Sequence, residues 1–453
     1  MNEGGRYMSK KILIVGGVAG GASAAARLRR IDESAEIILF EKGQYISFAN
    51  CGLPYYIGGA IKERSKLLVM TPKVMKARFN IDVRELSEVV RIDRENKMVE
   101  VKDHRNGNIY QETYDVLVLS PGANPVKPQR PGIDNPNIYT LRDIPDTDAI
   151  KEYIDRNKPE SAVVVGGGFV GLEMAENLHE AGVKVDIVEA LDQVMPSIDY
   201  DMAAIVHNHI RSKGCGLILK DGVKAFEAEG SKTVVVLQSG KRILADMVIL
   251  SIGVKPNTTL AKEAGLEIGL TGGIKVNEYL QTSDPSIYAL GDAIEVTDYV
   301  SGNPVLLPLA GPANKQGRIV ANNSAGRREI YKGTQVTSIA KVFDLAVAST
   351  GNNEKTLKKL GKQLGKDYIT TTTHSASHAT YYPGGSMMTI KTIYTPEGRI
   401  LGAQIVGYDG VDKRIDDIAI AVRHKMTVHD LQEFELAYAP PFSSAKDPVN
   451  MAG

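Results

Sequence analysis

Short apolar runs that end in glycine or in an acid set the rhythm of this chain. Residues 11–15 (Lys-Ile-Leu-Ile-Val) read as a buried strand. Residues 22–30, rich in alanine, read as a helix that can pack closely, and 36–40 read as a second strand closed by Glu41. Continuous apolar runs of this length suit strands covered on both faces, and the order strand, glycine turn, helix, strand predicts a βαβ unit. The same order returns about 150 residues later: strand 161–165, a glycine turn, helix 172–181, strand 184–188 and Glu189. A single duplication at so long a spacing predicts two related nucleotide domains rather than a solenoid.

The apolar runs 115–120 and 246–251 close the two halves, each followed by a glycine turn with proline nearby (Pro121-Gly122, and Gly253 with Pro256) where the chain crosses between domains. After Gly326 the pattern changes to alternating strands, 338–343, 387–394 and 400–406, with a helix over 412–424. The expected fold class is therefore α/β, with two Rossmann-like dinucleotide-binding domains and a C-terminal α+β domain. The expected division is 8–122 with 257–330, then 123–256, then 331–453.

Composition adds little to this and removes several alternatives. Lys+Arg and Asp+Glu both number 54 in 453 residues, so no net charge draws the chain to nucleic acid or to a membrane. One local imbalance stands out: Lys62, Arg64, Lys66, Lys73, Lys76 and Arg78 against Glu63 alone. The plain reading of such a run is a solvated helix face. Two cysteines, Cys51 and Cys215, cannot build a disulfide framework, which predicts a reducing, cytoplasmic setting. No run of 18 apolar residues exists, and 1–11 lacks the apolar core of a signal peptide. Met8 reads as a natural start, with 1–7 as an extension.

The second glycine turn, Gly166-Gly167-Gly168-Phe169-Val170-Gly171, satisfies G-x-G-x-x-G. Lying between strand and helix, it can hold a pyrophosphate on its amides, and Glu189 can accept ribose hydroxyls. A carboxylate there suits the free 2′-hydroxyl of NADH better than the 2′-phosphate of NADPH. The first turn, Gly16-Gly17-Val18-Ala19-Gly20-Gly21, departs from the pattern at Val18, but its strand context and Glu41 keep the assignment. Gly291-Asp292 follows the apolar run 287–290, where an aspartate can bond the ribityl chain of a flavin. These elements predict FAD in the first domain and NAD(P)H in the second. Lys42, Gly122 and Ala313 complete the expected cofactor contacts. His374 and His378 have i, i+4 spacing, but the threonines before them disfavour a helix, so no metal site is expected.

Cys51 follows the first nucleotide unit, and Tyr56 stands where an internal C-x-x-x-x-C redox pair would place its second cysteine. Its redox partner must come from outside the chain. A cysteine at the start of a helix is expected to have a lowered pKa, hence thiolate character. Pro54 suits the first turn of that helix.

The segment Ser47-Phe48-Ala49-Asn50-Cys51-Gly52-Leu53-Pro54-Tyr55-Tyr56 looks like the S-F-x-N-C-x-L-P-Y-Y signature of the coenzyme A disulfide reductases, within the pyridine nucleotide-disulfide oxidoreductase superfamily. The end segment Ala437-Tyr438-Ala439-Pro440-Pro441-Phe442-Ser443 is similar as well, and the resemblance runs through essentially the whole chain from Met8. It implies that Cys51 forms a mixed disulfide with coenzyme A and that the chain is a homodimer. It also implies that Ser23, Arg27, Arg30 and Lys446 face coenzyme A. Ser47 and Asn50 can contact the same chain, and the basic run, Lys76 above all, gains a use in pairing its phosphates. The family further contributes two tyrosines from the partner subunit: Tyr438, and Tyr381 in preference to Tyr382.

A related group, NADH oxidases and peroxidases cycling through a sulfenic acid, is the nearest alternative. Its peroxidases carry a histidine in the first glycine turn, where Ala19 stands here. Other relatives, fused to a rhodanese-like domain, reduce coenzyme A persulfide or polysulfide. A flavin-binding redox sensor without turnover would explain the nucleotide motifs but leave Cys51 idle.

Overall fold

The computed structural model describes residues 9–453, so the expected start at Met8 lies outside the described residues. Strands Lys11–Val15 and Glu36–Phe40 pair in parallel through the helix Ala19–Ile31, and Asp82–Arg84, Val116–Leu119 and Ile287–Ala289 complete a five-stranded parallel sheet. Its centre is dry: Leu13, Ile14, Leu39, Leu117 and Val118 are fully buried. The helix begins three residues before the expected 22, at Ala19, and includes Gly20 and Gly21. Glycine in a helix reads as a breaker from sequence. Here close packing on the helix Ala310–Ser324 outweighs that cost. A Cβ on Gly317 would press on the backbone of Gly20 and Ala24.

The second unit repeats the plan. Gly216–Ile218, Lys184–Val188, Ser161–Val165 and Met247–Leu250 lie side by side in parallel, with Ile138–Tyr139 at the edge, and the helix Phe169–Glu180 makes the crossover. The edge strands tell the units apart. The first sheet takes its last strand, Ile287–Ala289, from beyond the second unit, so the second unit is an insertion within the first. Two crossing segments, Ala123–Pro125 and Val254–Pro256, pair antiparallel at the junction.

The remaining residues form a five-stranded antiparallel sheet in the order Ser338–Val342, Leu345–Gly351, Ile400–Gly407, Met387–Tyr394, Ile369–Ala376, with helix Val411–Arg423 packed on it. The threonine-rich stretch is the edge strand of this sheet. His374 lies in that strand and His378 beyond it, and no metal-binding cluster occurs among the described residues. A buried lysine joins this sheet to the second unit: Lys391 meets Glu354 at 2.7 Å and Asp201 at 2.8 Å, with Asp199 at 3.4 Å. Buried charge is tolerable only when paired this fully. No helix among the described residues is long and apolar enough to cross a membrane.

Candidate active site

Both glycine turns are built the same way. Gly16 and Gly166 take φ of +95° and +109°, and a Cβ on either would collide with the carbonyl of Ser120 or Ser251 on the neighbouring strand. Only glycine fits there. Each strand-end acid is pinned to its turn. Glu41 accepts the Gly17 and Gly43 amides, both at 2.9 Å, and Glu189 accepts those of Gly167 at 2.7 Å and Leu191 at 2.8 Å.

In front of the first turn lies a cleft of about 490 Å³, bordered by Gly16, Gly20, Glu41, Lys42, Gly122, Asn50, Gly291, Asp292 and Ala313. Gly17 and Gly21 stand behind its floor, where a Cβ would meet Ile46 or the Gly16 carbonyl. Asp292 sits in a single 3-10 turn after Ile287–Ala289. Burial pushes its carboxyl up, with Arg142 opposing. The donor set fits a flavin dinucleotide: a glycine floor for pyrophosphate, Glu41 for a ribose, and Asp292 for a polyol chain. Arg142 borders the same cleft and was invisible to sequence reasoning. Burial pulls its pKa down, while the carboxylates of Asp143, Asp292 and Glu41 work the other way. It belongs to no motif, and only the fold returns it to the glycine turn.

Cys51 lies on the 3-10 turn Asn50–Gly52, exposed, ahead of the short helix Leu53–Ile57 with Pro54 in its first turn. Its loop is latched to the first unit through Ser47, which is held at φ +44° while its amide donates to the Gly17 carbonyl at 2.8 Å. The expected lowering of the Cys51 pKa is not what the protein's groups produce. Burial of its surroundings raises it, and the carboxylates of Glu173 and Asp292 raise it further. The helix after Cys51 is about one turn and a half long, so its dipole is small, and the charged groups that act on the thiol are acids. The chain's own residues thus disfavour the Cys51 thiolate rather than promote it.

Glu173 is the second residue that sequence reasoning missed. It projects from helix Phe169–Glu180 of the second unit toward the Cys51 loop. Burial, reinforced by Glu176, lifts its pKa to about 7. Tyr55 stands beside both and is pushed up to about 12 by burial and by the same acid.

The residues expected to face coenzyme A fall in two places. On the first unit, Ser23 bonds Asn314, a residue without sequence signal, and Arg27 bonds Asn322 at 3.1 Å. Arg30 and Arg78 both stack on Phe79, 5.5 Å from its centroid, and Lys76 bonds Asn80 at 2.9 Å on the helix Pro72–Phe79. Part of the basic run is not free, and the run is not one helix. Arg64 forms a bidentate pair with Asp148 at 2.7 Å and reaches Tyr45.

The second place is the C-terminal domain, where Tyr381 and Tyr438 meet hydroxyl to hydroxyl at 2.8 Å. They are 73% and 48% exposed. Tyr382 turns instead to the His378 ring, 5.7 Å away in an edge contact. Lys446 is exposed on the same domain. Among the described residues no hydrogen bond joins Tyr381, Tyr438 or Lys446 to the Cys51 loop. Cys215 is buried, 3.7 Å from His179, and burial raises its pKa to about 11.

Comparison with known proteins matches residues 10–317 to the pyridine nucleotide-disulphide oxidoreductase model and 337–448 to the dimerisation domain of the same group. A coenzyme A disulfide reductase of Staphylococcus haemolyticus is 36% identical over 98% of both chains. Among solved structures, reduced Bacillus anthracis CoADR-RHD superposes with a TM-score of 0.95 at 56% identity, covering 99% of this chain and 80% of that one. The NAD-dependent persulfide reductase of A. fulgidus follows at 0.94 and 40%, covering 97% and 82%. A water-forming NADH oxidase of Lactobacillus brevis gives 0.93 at 26%, covering 98% and 97%.

Proposed function

The chain belongs to the pyridine nucleotide-disulfide oxidoreductase family, and from that premise we propose that it reduces coenzyme A disulfide, or the persulfide of coenzyme A, with NAD(P)H and bound FAD. The observation that carries this reading is the thiol inventory: one exposed cysteine, Cys51, beside the proposed flavin cleft, and one buried cysteine, Cys215, on the far unit. A reductase with one accessible thiol must complete its disulfide with the substrate's sulfur. The oxidase reading has weaker support, since the oxidase structure shares 26% identity against 56% and 40% for the two sulfur-related structures.

Bound FAD supplies the step that accepts a hydride from the nicotinamide and delivers two electrons to a disulfide. Gly16, Gly17, Gly20, Gly21, Glu41, Lys42, Gly122, Gly291, Asp292 and Ala313 would hold it. Gly166, Gly168, Gly171 and Glu189 would hold the nicotinamide nucleotide. The Cys51 thiolate, formed by loss of the thiol proton to water, attacks one sulfur of the coenzyme A disulfide, forms a mixed disulfide and expels one coenzyme A thiolate. Tyr381 or Tyr438 can supply its proton. Two electrons then open the mixed disulfide, releasing the second coenzyme A thiol and restoring Cys51. The sum is NADH, a proton and the disulfide giving NAD⁺ and two thiols.

Ser23, Arg27, Arg30, Ser47, Asn50, Lys76 and Lys446 would grip coenzyme A, the cations pairing with its phosphates. The three units are proposed as 8–122 with 257–330 for FAD, 123–256 for NAD(P)H and 331–453 for dimerisation. The tyrosine pair and Phe442, exposed on the last unit, suit a homodimer in which the tyrosines serve the partner's Cys51. A cytoplasmic setting agrees with the free thiols.

The test is steady-state NADH oxidation with coenzyme A disulfide, coenzyme A persulfide or oxygen as sole acceptor. The expected result is fast turnover on one of the sulfur substrates and, under non-reducing mass spectrometry, a coenzyme A adduct on Cys51. Turnover on oxygen alone, with no adduct, would overturn the reading.

A further inference from the structure

The two tyrosines that meet at 2.8 Å stand on segments that no regular element holds. Tyr381 follows the end of strand Ile369–Ala376, and Tyr438 lies in the irregular stretch between helices Val428–Gln432 and Pro448–Ala452. Groups carried on loops are placed less precisely than groups on helices or strands unless other contacts support them. The tie is a side chain from a third element. Arg414, in the first turn of helix Val411–Arg423, is 1% exposed, the largest fully buried side chain among the described residues.

Its guanidinium serves both segments at once. One terminal nitrogen donates to the Ser377 carbonyl at 2.8 Å, on the Tyr381 segment. The same nitrogen reaches the Asp447 carboxylate at 3.0 Å, the Ser443 hydroxyl at 3.3 Å and the Phe442 carbonyl at 3.4 Å, on the Tyr438 segment. The other terminal nitrogen donates to Gly410 at 3.1 Å. Ser443 in turn donates its hydroxyl to Asp447, and the Ala379 amide donates to the Ser443 carbonyl at 3.0 Å, closing a ring of contacts between the two segments. Burial raises the Asp447 carboxyl, but the Arg414 and Ser443 hydrogen bonds outweigh it and hold the pKa below the ordinary value. A buried arginine is tolerated only when its guanidinium is paired this fully. Lysine could match the charge but not the two-nitrogen hold on Asp447, which uses Nε at 3.3 Å as well as the terminal nitrogen at 3.0 Å.

We propose that Arg414, through Asp447 and Ser443, is the positioning residue that holds Tyr381 and Tyr438 in register for the chemistry at Cys51. The inference rests on the proposed role of the tyrosine pair.

The experiment is a mutant cycle on the FAD-loaded protein. Arg414→Lys is measured alone, and again in a background with both tyrosines changed to Phe. Two readouts are taken: rapid reduction of the flavin by NADH, and steady-state turnover on the sulfur substrate. The expected result is that Arg414→Lys lowers kcat about tenfold with flavin reduction unchanged, and causes no further loss in the double-Phe background. An equal additional loss in that background would overturn the proposal, because Arg414 would then act independently of the tyrosines. So would an Arg414→Lys protein with the wild-type kcat. If the double-Phe protein itself turns over normally, the tyrosine role fails, and the inference with it. That outcome is recognisable from the background alone. Should Arg414→Lys fail to load FAD, Ser443→Ala, which removes one hydroxyl from the ring of contacts, carries the same cycle.

Discussion

The two dinucleotide units share their frame and differ in their cover. At matched positions about 150 residues apart, Gly16 and Gly166 turn with positive φ, Gly21 and Gly171 press on the carbonyls of those glycines, and Glu41 and Glu189 accept the amides of Gly17 and Gly167. The difference begins two residues into each helix. A Cβ on Gly20 would strike Leu290 and crowd the Ala313 carbonyl, because the helix Ala310–Ser324 lies over the first turn. Its counterpart Val170 is 39% exposed. Five residues in, Ser23 faces Asn314 of that cover, whereas Glu173 faces the Cys51 loop. One helix start is roofed by the rest of its own domain and the other is exposed at the matching position. That contrast supports the proposed assignment of FAD to the first unit and NAD(P)H to the second.

The sharpest test of the contrast uses the two cysteines, one in each unit. Cys51→Ser is expected to lose disulfide turnover by about 10³-fold or more while still bleaching its flavin with NADH. Cys215→Ser is expected to keep turnover within about twofold. Stopped-flow absorbance and steady-state rates read both, and equal losses would erase the distinction between the units.

Next in size is the cover itself. Gly20→Val forces a side chain into Leu290 and should cost about 3 kcal/mol with loss of bound FAD. The reverse change, Val170→Gly, should cost no more than about 1 kcal/mol, as a glycine in an exposed helix turn does. Flavin content after purification and thermal midpoints compare them. A Gly20→Val protein that retains full FAD would show that the roof is not what holds the cofactor.

Position 173 gives a pH signature that position 23 lacks. The Glu173 carboxyl has a folded value of about 7 against an ordinary 4.5. Between these values the folded chain holds a proton that the unfolded chain has released, so stability falls as pH rises through the window and levels off above it. Glu173→Gln should remove a loss on the order of 2 kcal/mol between pH 4.5 and 7. Denaturant midpoints across that range check it, and Ser23→Ala should leave the slope as it is.

The smallest effect concerns donor choice. If Glu189 faces the ribose of an exchanging nucleotide, Glu189→Gln should lower kcat/KM for NADH about tenfold and that for NADPH less, narrowing the preference. The matching change in the roofed unit, Glu41→Gln, should appear as lost flavin rather than altered donor preference. A wild-type kcat/KM favouring NADPH would remove Glu189 from the ribose.

Much of this is legible in the sequence. The strands 11–15, 36–40, 161–165 and 184–188 announce themselves because a parallel sheet covered on both faces needs unbroken apolar runs. The duplication follows from their order. Helix starts were less legible: Gly20, Gly21 and Gly171 sit inside helices that sequence reasoning began three residues later, since packing outweighs helix propensity there. The lone cysteine was plain from composition, but its raised pKa was not. That depends on Glu173 and Asp292, which lie 122 and 241 residues away along the chain.

By itself, then, the sequence determined what depends on local order: two glycine turns after apolar strands, an acid at each strand end, one cysteine in a distinctive segment, and tyrosines near the C-terminus. The tertiary structure alone decided which turn is roofed and which is open, which tyrosine of the adjacent pair meets Tyr438, and that Arg142 and Asn314 join the sites while Arg64 is spent on Asp148. The physical reason is range. Turn geometry and strand burial are set by neighbours a few residues away, whereas the charge, cover and hydrogen-bond partners of a site residue come from elements that only folding brings beside it.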